Sequence, residues 1–469
     1  MDFRSMFQNP ENQWSSNTQV FFPNDPQFAS STERWNAYER PTYKAAVRPG
    51  SAEDVQKIIK LAASNEFPFL VTSGNHGYSA TFGTLDDGLA IDMRNFNSVT
   101  INAAANTMTI GGGTIFNQIY DPLYNAGKEI QSGAVSTVGV LGITLGGGIG
   151  RYQGIHGLLL DALQSVRMVT AKGDLITVSS ASNSDLFWGL RGAGMNFGAI
   201  TEATYRVSDL TNGGQVRNAD LIFPVSAAPE FFKALPSFKA KQPKEMACIA
   251  VVICDNASGE AQILVNFTFP GPEDEFMKLI QPFLDLNPGT QVINTLPWNE
   301  LVTKSGFGID ALLGVKGQPH SIFGANLKNI DSSKWVEIFN RMNSFYASTP
   351  AARTSTIALE VFSTEAVAAV PDDATAYPWR DAQAYVMFQM GWTDPSATDA
   401  ATALAIELRN MVVSTSGYSG LTTYVSYAHG EETLEQKYGA NKLPRLQALK
   451  KKWDPKNVFA YNNAIVPST

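Results

Sequence analysis

The sequence predicts a two-domain α+β protein, and three observations carry that reading. The chain has 469 residues, 44% hydrophobic and 17% charged, more than one ordinary core holds and too apolar for disorder. Residues 71–200 contain 22 of its 38 glycines, yet these interrupt good strand and helix patterns instead of forming a repeat. Beyond about residue 210 the glycines thin out and long alternating apolar runs begin.

Taken in order, residues 1–38 read as an extension whose opening, "MDFRSMFQNPENQW", lacks the apolar stretch of a secretion signal. "SAEDVQKIIKLAASNE" (51–66) is a capped helix, with Ser51 at the N-cap, Asp54 at N3 and Val55, Ile58, Ile59 and Ala62 behind. "FPFLV" (67–71) is a buried strand. "GLAIDM" (88–93), "TMTIGGG" (107–113), "SVRMVTAKGDLITVS" (165–179) and "GAITEATYRVSD" (198–209) are further strands or hairpins. Within 210–420, "EMACIAVVICDN" and "EAQILVNFTFPG" form an antiparallel pair, 331–348 and 398–415 are helices, and "AQAYVMFQMGW" (382–392) is a strand. That half is expected to be a sheet with helices on one face and the other face open. The chain closes with a helix, a turn and an extended tail, the lysines of "LKKKW" (449–453) making a solvated face.

Composition removes several functions. A formal charge of −8 argues against a nucleic-acid partner, which needs clustered Lys and Arg. No run approaches the ~20 apolar residues of a membrane span. Cys248 and Cys254 end the run "CIAVVIC". On one strand about 20 Å separates such positions, too far for a disulfide, so two buried free thiols are expected. With two cysteines and four histidines, no metal site is expected. The sequons at Asn256 and Asn266 are triplets that also arise by chance.

The chemistry lies in four glycine loops: "TSGNHGYS" (72–79), "IGGGTI" (110–115), "STVGVLGITLGGGIGR" (136–151) and "LRGAGMNFGAI" (190–200). Glycine bares the backbone, so that N–H groups can converge on an anion such as a diphosphate. None is a P-loop, because no GK[ST] follows. None is the dinucleotide fingerprint either, since Arg151 or Phe197 stands at its third glycine. Together they point to an extended phosphate-bearing ligand. His76 sits inside the first loop, among bared backbone, and not on a packed face.

In this order, and with "PWNELVTKSGFG" (297–308), "AYPWRDAQAYV" (376–386) and the closing "YGANKLPRLQALKKKWDPKNVF", the motifs resemble the vanillyl-alcohol-oxidase family of flavoproteins, above all its fungal berberine-bridge-enzyme-like branch. The likeness runs from about Arg40 to the C-terminus. It implies a PCMH-type FAD-binding domain of two small α/β subdomains over 39–209. A substrate domain follows over 210–420, an antiparallel sheet backed by helices, and the segment 421–469 returns to the FAD domain.

The same resemblance implies FAD bonded covalently through His76, with Asn75 in place of the usual second glycine. Val135 stands where some relatives carry a second, cysteinyl link, so a single link is expected. FAD contacts then fall on Ser73, Gly74, Asn75, His76, Gly77 and Tyr78, and on Ser136, Thr137, Val138 and Gly139. They continue at Gly142, Gly146, Gly147, Gly148 and Gly150, and end at Gly198 and Ile200. Val138 holds the place of the oxygen-gating residue of related oxidases, where valine accompanies oxidase behaviour.

The implied activity is an oxidase that removes hydride from an alcohol, sugar or secondary-metabolite carbon and passes electrons to O₂. A dehydrogenase and a redox-neutral cyclase are the alternatives, and Val135 and Ser426 (where asparagine is more usual) leave room for the cyclase. Small-molecule substrate and O₂ are the expected partners, the chain acting as a monomer with no nucleic acid, membrane or metal.

A base is expected in the tyrosine-rich "TYVSYAHG" segment. On a regular strand Tyr424 and Ser426 face one way and Tyr427 the other, so one tyrosine reaches the flavin, and Tyr427 is preferred. Glu360, a carboxylate on an apolar strand, is the second candidate, unless it merely partners Arg353 or Arg380. His429 beside "GEE" reads as a surface residue, His156 as support for the glycine loop, and His320 has no interpretable context. Trp298, Trp379 and Trp392 suit either a sugar platform or a hydrophobic pocket.

Overall fold

The computed structural model describes residues 3–468. Its first unit is βαβ: strands Tyr43–Arg48 and Phe69–Thr72 flank the helix Ala52–Ser64. Ser51 Oγ accepts from the Asp54 N–H at 3.2 Å, which caps the helix. Val55, Ile58, Ile59 and Ala62 are fully buried against the sheet. Gly88–Asp92 inserts between the two strands, parallel to both, and Gln19–Phe21 adds antiparallel at the outer edge. A second, antiparallel sheet runs in the order Val99–Asn102, Thr107–Gly111, Gly198–Arg206, Leu163–Thr170, Leu175–Ser179.

The third sheet has seven antiparallel strands, ordered Thr290–Pro297, Gln215–Phe223, Ala261–Phe269, Ala247–Cys254, Thr356–Phe362, Ala384–Gly391 and His320–Leu327. The period of two decides what each face does. Cys248, Ala250 and Val252, with Ile357, Leu359 and Val361 on the next strand, are buried in one core with side chains from the helices Ala228–Lys241, Ser332–Ser348 and Thr398–Val413. Each Ile or Leu buried there contributes about 1.5–3 kcal/mol relative to exposure. The alternate residues Ile249, Val251, Ile253, Ala358 and Glu360 border a cavity on the opposite face.

Three expectations need correction. "TYVSYAHG" is not a strand: Val425–Tyr427 is a 3₁₀ turn, closed by the Tyr427 N–H on the Tyr424 carbonyl at 2.7 Å. Lys450, expected on a solvated face, is fully buried. It donates to the carbonyls of Asn196 and Phe459 and pairs with Asp454 at 2.7 Å, fastening the tail to the glycine-rich half. Cys248 is a buried free thiol, but Cys254, also free, is only half-buried. Among the described residues no helix is long and apolar enough to cross a membrane, and no cluster of metal ligands forms.

Candidate active site

The open face of the large sheet and the glycine loops enclose a cavity of about 420 Å³. A second chamber of about 130 Å³ shares Leu70, Val71, Thr72, Ser73, Gly142 and Met195 with it and runs back between the two smaller sheets. Ser73, Asn75, His76, Gly77, Tyr78, Val138, Gly139, Gly142 and Gly150 border the larger cavity. Gly198 and Ile200 border the smaller one. Gly74, Ser136, Thr137, Gly146, Gly147 and Gly148 border neither.

The glycines divide by what a side chain would meet. At Gly142 an added Cβ finds no protein atom within 4 Å, so this backbone faces the open chamber. At Gly147 it would lie 2.8 Å from the Tyr424 ring, and at Gly150 2.1 Å from the Ser132 carbonyl oxygen. Gly112 would meet the Ile200 carbonyl oxygen at 2.0 Å and Gly113 that of Met93 at 2.1 Å. Most of the third-loop and second-loop glycines therefore allow chain segments to cross, and only part of the set bares backbone to a ligand.

His76 is held from two sides. Its Nε2 lies 2.8 Å from Thr137 Oγ1, and its ring stacks on Trp35 at 5.8 Å. Trp35 and Arg34 come from the N-terminal extension, and Arg34 Nη2 donates to the Gly77 carbonyl at 2.7 Å. Asn75 takes a left-handed φ of 60°, a conformation asparagine tolerates better than most residues. Its amide binds the Glu33 carbonyl at 3.1 Å. Burial, helped by the charges of Lys316 and Arg34, lowers the His76 pKa to about 4. The imidazole is thus neutral at neutral pH, with a lone pair available to an electrophile.

Thr137 is itself positioned from below. The Ser136 N–H and hydroxyl donate to the two oxygens of Asp310, at 2.8 and 2.6 Å.

The acid–base cluster lies on the same cavity. Because Val425–Tyr427 is a turn, both Tyr424 and Tyr427 border it. Tyr424 Oη accepts from the Gly148 N–H at 3.0 Å, tying the glycine run in place. Tyr427 Oη donates to Glu360 Oε2 at 2.9 Å. Neither Arg353 nor Arg380 partners Glu360: Arg380 pairs with Asp161 at 2.7 Å, and Arg353 donates to the Tyr346 carbonyl. Burial raises the Glu360 pKa to about 7, against the opposing pull of the Tyr427 hydroxyl and Arg151. Burial, and then the Glu360 charge, keep the Tyr427 phenol far above its ordinary range. Tyr78 stands in the same group, its hydroxyl 3.7 Å from Met387 Sδ.

The other histidines sit elsewhere. His156 pairs with Glu129 at 2.7 Å. His429 is half-buried, stacked on Phe323 at 4.1 Å and paired with Glu431 at 2.8 Å. His320 stacks on Trp35 at 4.7 Å. Trp298, Trp379 and Trp392 do not border the cavity.

Sequence reasoning missed Trp35, Arg34, Asp310 and the Arg151–Asn266 pair. Arg151 was visible only as the residue that spoils a glycine fingerprint. Asn266, in its sequon, is 3% exposed and accepts from Arg151 at 3.0 Å.

The two joined chambers, the bare backbone at Gly142 and a neutral imidazole at the cavity wall fit an extended flavin dinucleotide. Residues 43–179 match the FAD binding domain family, and residues 423–466 the berberine and berberine-like family. The FAD-linked oxidoreductase fogF of Aspergillus ruber is 43% identical over 470 residues, 99% of this chain and 94% of its own. Physcomitrella patens BBE-like 1 superposes with a TM-score of 0.85 at 23% identity, over 97% of this chain and 98% of its own. Glucooligosaccharide oxidase of Acremonium strictum, described for a novel flavinylation, superposes with 0.84 at 21% identity, over 96% and 97%.

Fold, cavity and relatives define an FAD-dependent oxidoreductase. More narrowly, the chain belongs to the berberine-like FAD-linked oxidoreductases.

Proposed function

We propose that this protein is an oxidase of a small, largely apolar alcohol, with FAD bonded once, through His76. The observation that carries this reading is the buried Glu360–Tyr427 pair on the cavity that His76 also borders. Residues 39–209 and 421–469 hold FAD in this reading, and 210–420 supply the substrate face. FAD bound there supplies the two-electron acceptor for an alcohol carbon, with O₂ taking the electrons as peroxide.

Glu360 is the base. Its Oε2 is occupied by Tyr427, while no described donor reaches Oε1, which leaves that oxygen for the proton of a substrate hydroxyl. A pKa near 7 suits proton transfer at neutral pH. Tyr427 donates to the carboxylate and fixes its orientation, and Tyr424 positions the glycine run. Thr137 holds His76 with one ring nitrogen engaged and the other free to act as nucleophile. Val135, whose side chain has no sulfur, cannot make a second link. The sheet face contributes Ile249, Val251, Ile253, Leu264, Ala358 and Met387 to the roof, and this apolar contact favours a hydrophobic skeleton over a sugar.

Acid precipitation tests the attachment: the pellet stays yellow, and His76→Ala releases the colour to the supernatant. Colour lost from the unmutated protein removes the covalent link from the proposal. Photoreduced enzyme mixed with air reoxidises within seconds and yields peroxide; indifference to air would make it a dehydrogenase.

A further inference from the structure

Among the described residues, only two cationic side chains border the main cavity, Arg34 and Arg151. Arg34 packs on the His76 loop, donating to the Gly77 carbonyl and lying over the Phe82 ring at 4.3 Å, away from the sheet wall. Arg151 is different. Its Nε and Nη2 donate to Asn266 Oδ1 at 3.2 and 3.0 Å, and Nη2 also reaches Ser305 Oγ at 3.3 Å. Its Nη1 has no acceptor among the described residues.

The nearby carboxylates do not neutralise it directly. Asp220 accepts from the Asn266 and Asn218 amides and from the N–H groups of Gly306 and Phe307. Both oxygens of Asp310 are taken by Ser136, and Tyr427 takes one oxygen of Glu360, neither carboxylate accepting from Arg151. Asn266 cannot swing away, because its Nδ2 is fixed on Asn218 Oδ1 and Asp220 Oδ1 at 2.8 and 2.7 Å. A guanidinium on the cavity wall whose direct acceptors are neutral keeps a charge and a free N–H for an anionic ligand. The guanidinium is a preferred partner of a carboxylate, and the free Nη1 can equally donate to a single phenolate oxygen.

We propose that Arg151 binds an acidic oxygen of the substrate, so that the natural substrate is an apolar skeleton bearing a carboxylate or phenolate in addition to its reacting hydroxyl. The inference rests on the reading of this cavity as the substrate chamber. Arg151 and Glu360 then hold two oxygens of one molecule, Arg151 the anionic one and Glu360 the one that loses a proton, with the skeleton on the apolar sheet face. Specificity comes from Arg151 because the roof has no other cation to offer.

The test uses holoenzyme and two probes of similar shape, benzoate and benzamide, titrated by calorimetry at pH 7.5 with FAD content measured on every sample. The expected result is benzoate at least tenfold tighter than benzamide. In Arg151→Met that preference is lost, through weaker benzoate binding alone. Arg151→Lys keeps the charge without the fork and is expected to lose three- to tenfold, which serves if the methionine variant does not fold. Equal binding of both probes by the native enzyme would overturn the proposal. So would undiminished benzoate binding in Arg151→Met, or loss of FAD from Arg151→Lys, which would assign the arginine to the cofactor. None of these outcomes depends on turnover, so failure of the oxidase reading shows separately, as the absence of peroxide.

Discussion

The two walls of the main cavity are built from different material. One is backbone: the loop at 73–78 and the segment at 138–142, where glycine removes side chains and His76 is the main reactive group. The other is side chains alone, set by the alternation of a seven-stranded sheet. A backbone wall suits a ligand that is the same across a family, because it contains little to vary. A side-chain wall can change its specificity without disturbing the fold, since its partners on the opposite face are packed independently against the helices.

The largest effect that can break this comparison lies on the side-chain wall. Glu360→Gln is expected to lower turnover by roughly 10²–10⁴-fold while His76 still acquires FAD. In the native enzyme turnover should rise with pH through a limb near 7, where Glu360 loses its proton. The stability sign is opposite. The unfolded carboxyl ionises near 4.5 while the folded one holds its proton to about 7, so stability falls as pH rises between those values. Glu360→Gln removes that fall, and thermal unfolding at pH 5 and pH 8 reads it. Loss of the FAD in this variant would show that the two walls do not work separately.

The next effect separates two glycines eight residues apart. Gly150→Ala drives a methyl into the Ser132 carbonyl, 2.1 Å away, and overpacking of this kind costs about 1–3 kcal/mol or more. Melting temperature or soluble yield should drop. Gly142→Ala adds a methyl to open space, inside the short helix Val140–Thr144. Alanine favours the helix by about 1 kcal/mol, so stability is kept or raised, while the flavin-to-protein ratio falls. A Gly142→Ala protein with a full complement of flavin would show that this backbone does not approach the cofactor.

That pair also marks how far the sequence could be read. Glycine announces bare backbone, so the loops, the βαβ unit and His76 are all legible without coordinates. What a glycine faces is not legible: Gly142 and Gly150 look alike in "LGITLGGGIG", and only the crossing of residue 132 distinguishes them. The sheet wall is harder still. Alternation says that Ile249, Val251 and Ile253 share a face, but not that the face is the cavity. Trp35 and Arg34 lie in an extension with no motif, and meet His76 only through tertiary contact. The tyrosine segment failed for a local reason, a 3₁₀ turn in place of the strand that its β-formers suggested.

The smallest effect sharpens the comparison most, because it uses adjacent residues of one strand. Val252 is 3% exposed in the core under the helices, and Val251 borders the cavity. Threonine has nearly the shape of valine, so Val252→Thr changes one thing, a hydroxyl placed among apolar neighbours. It is expected to cost about 1–3 kcal/mol, seen as a lower melting temperature with kinetics unchanged. Val251→Thr places the same hydroxyl on the cavity surface, where stability should stay within about 0.5 kcal/mol. Its expected effect is a KM raised roughly 3- to 10-fold for an apolar substrate found by peroxide release. If both variants lose stability equally, the sheet has no free face and the roof is core. If Val251→Thr leaves KM unchanged, the substrate does not lie against this strand.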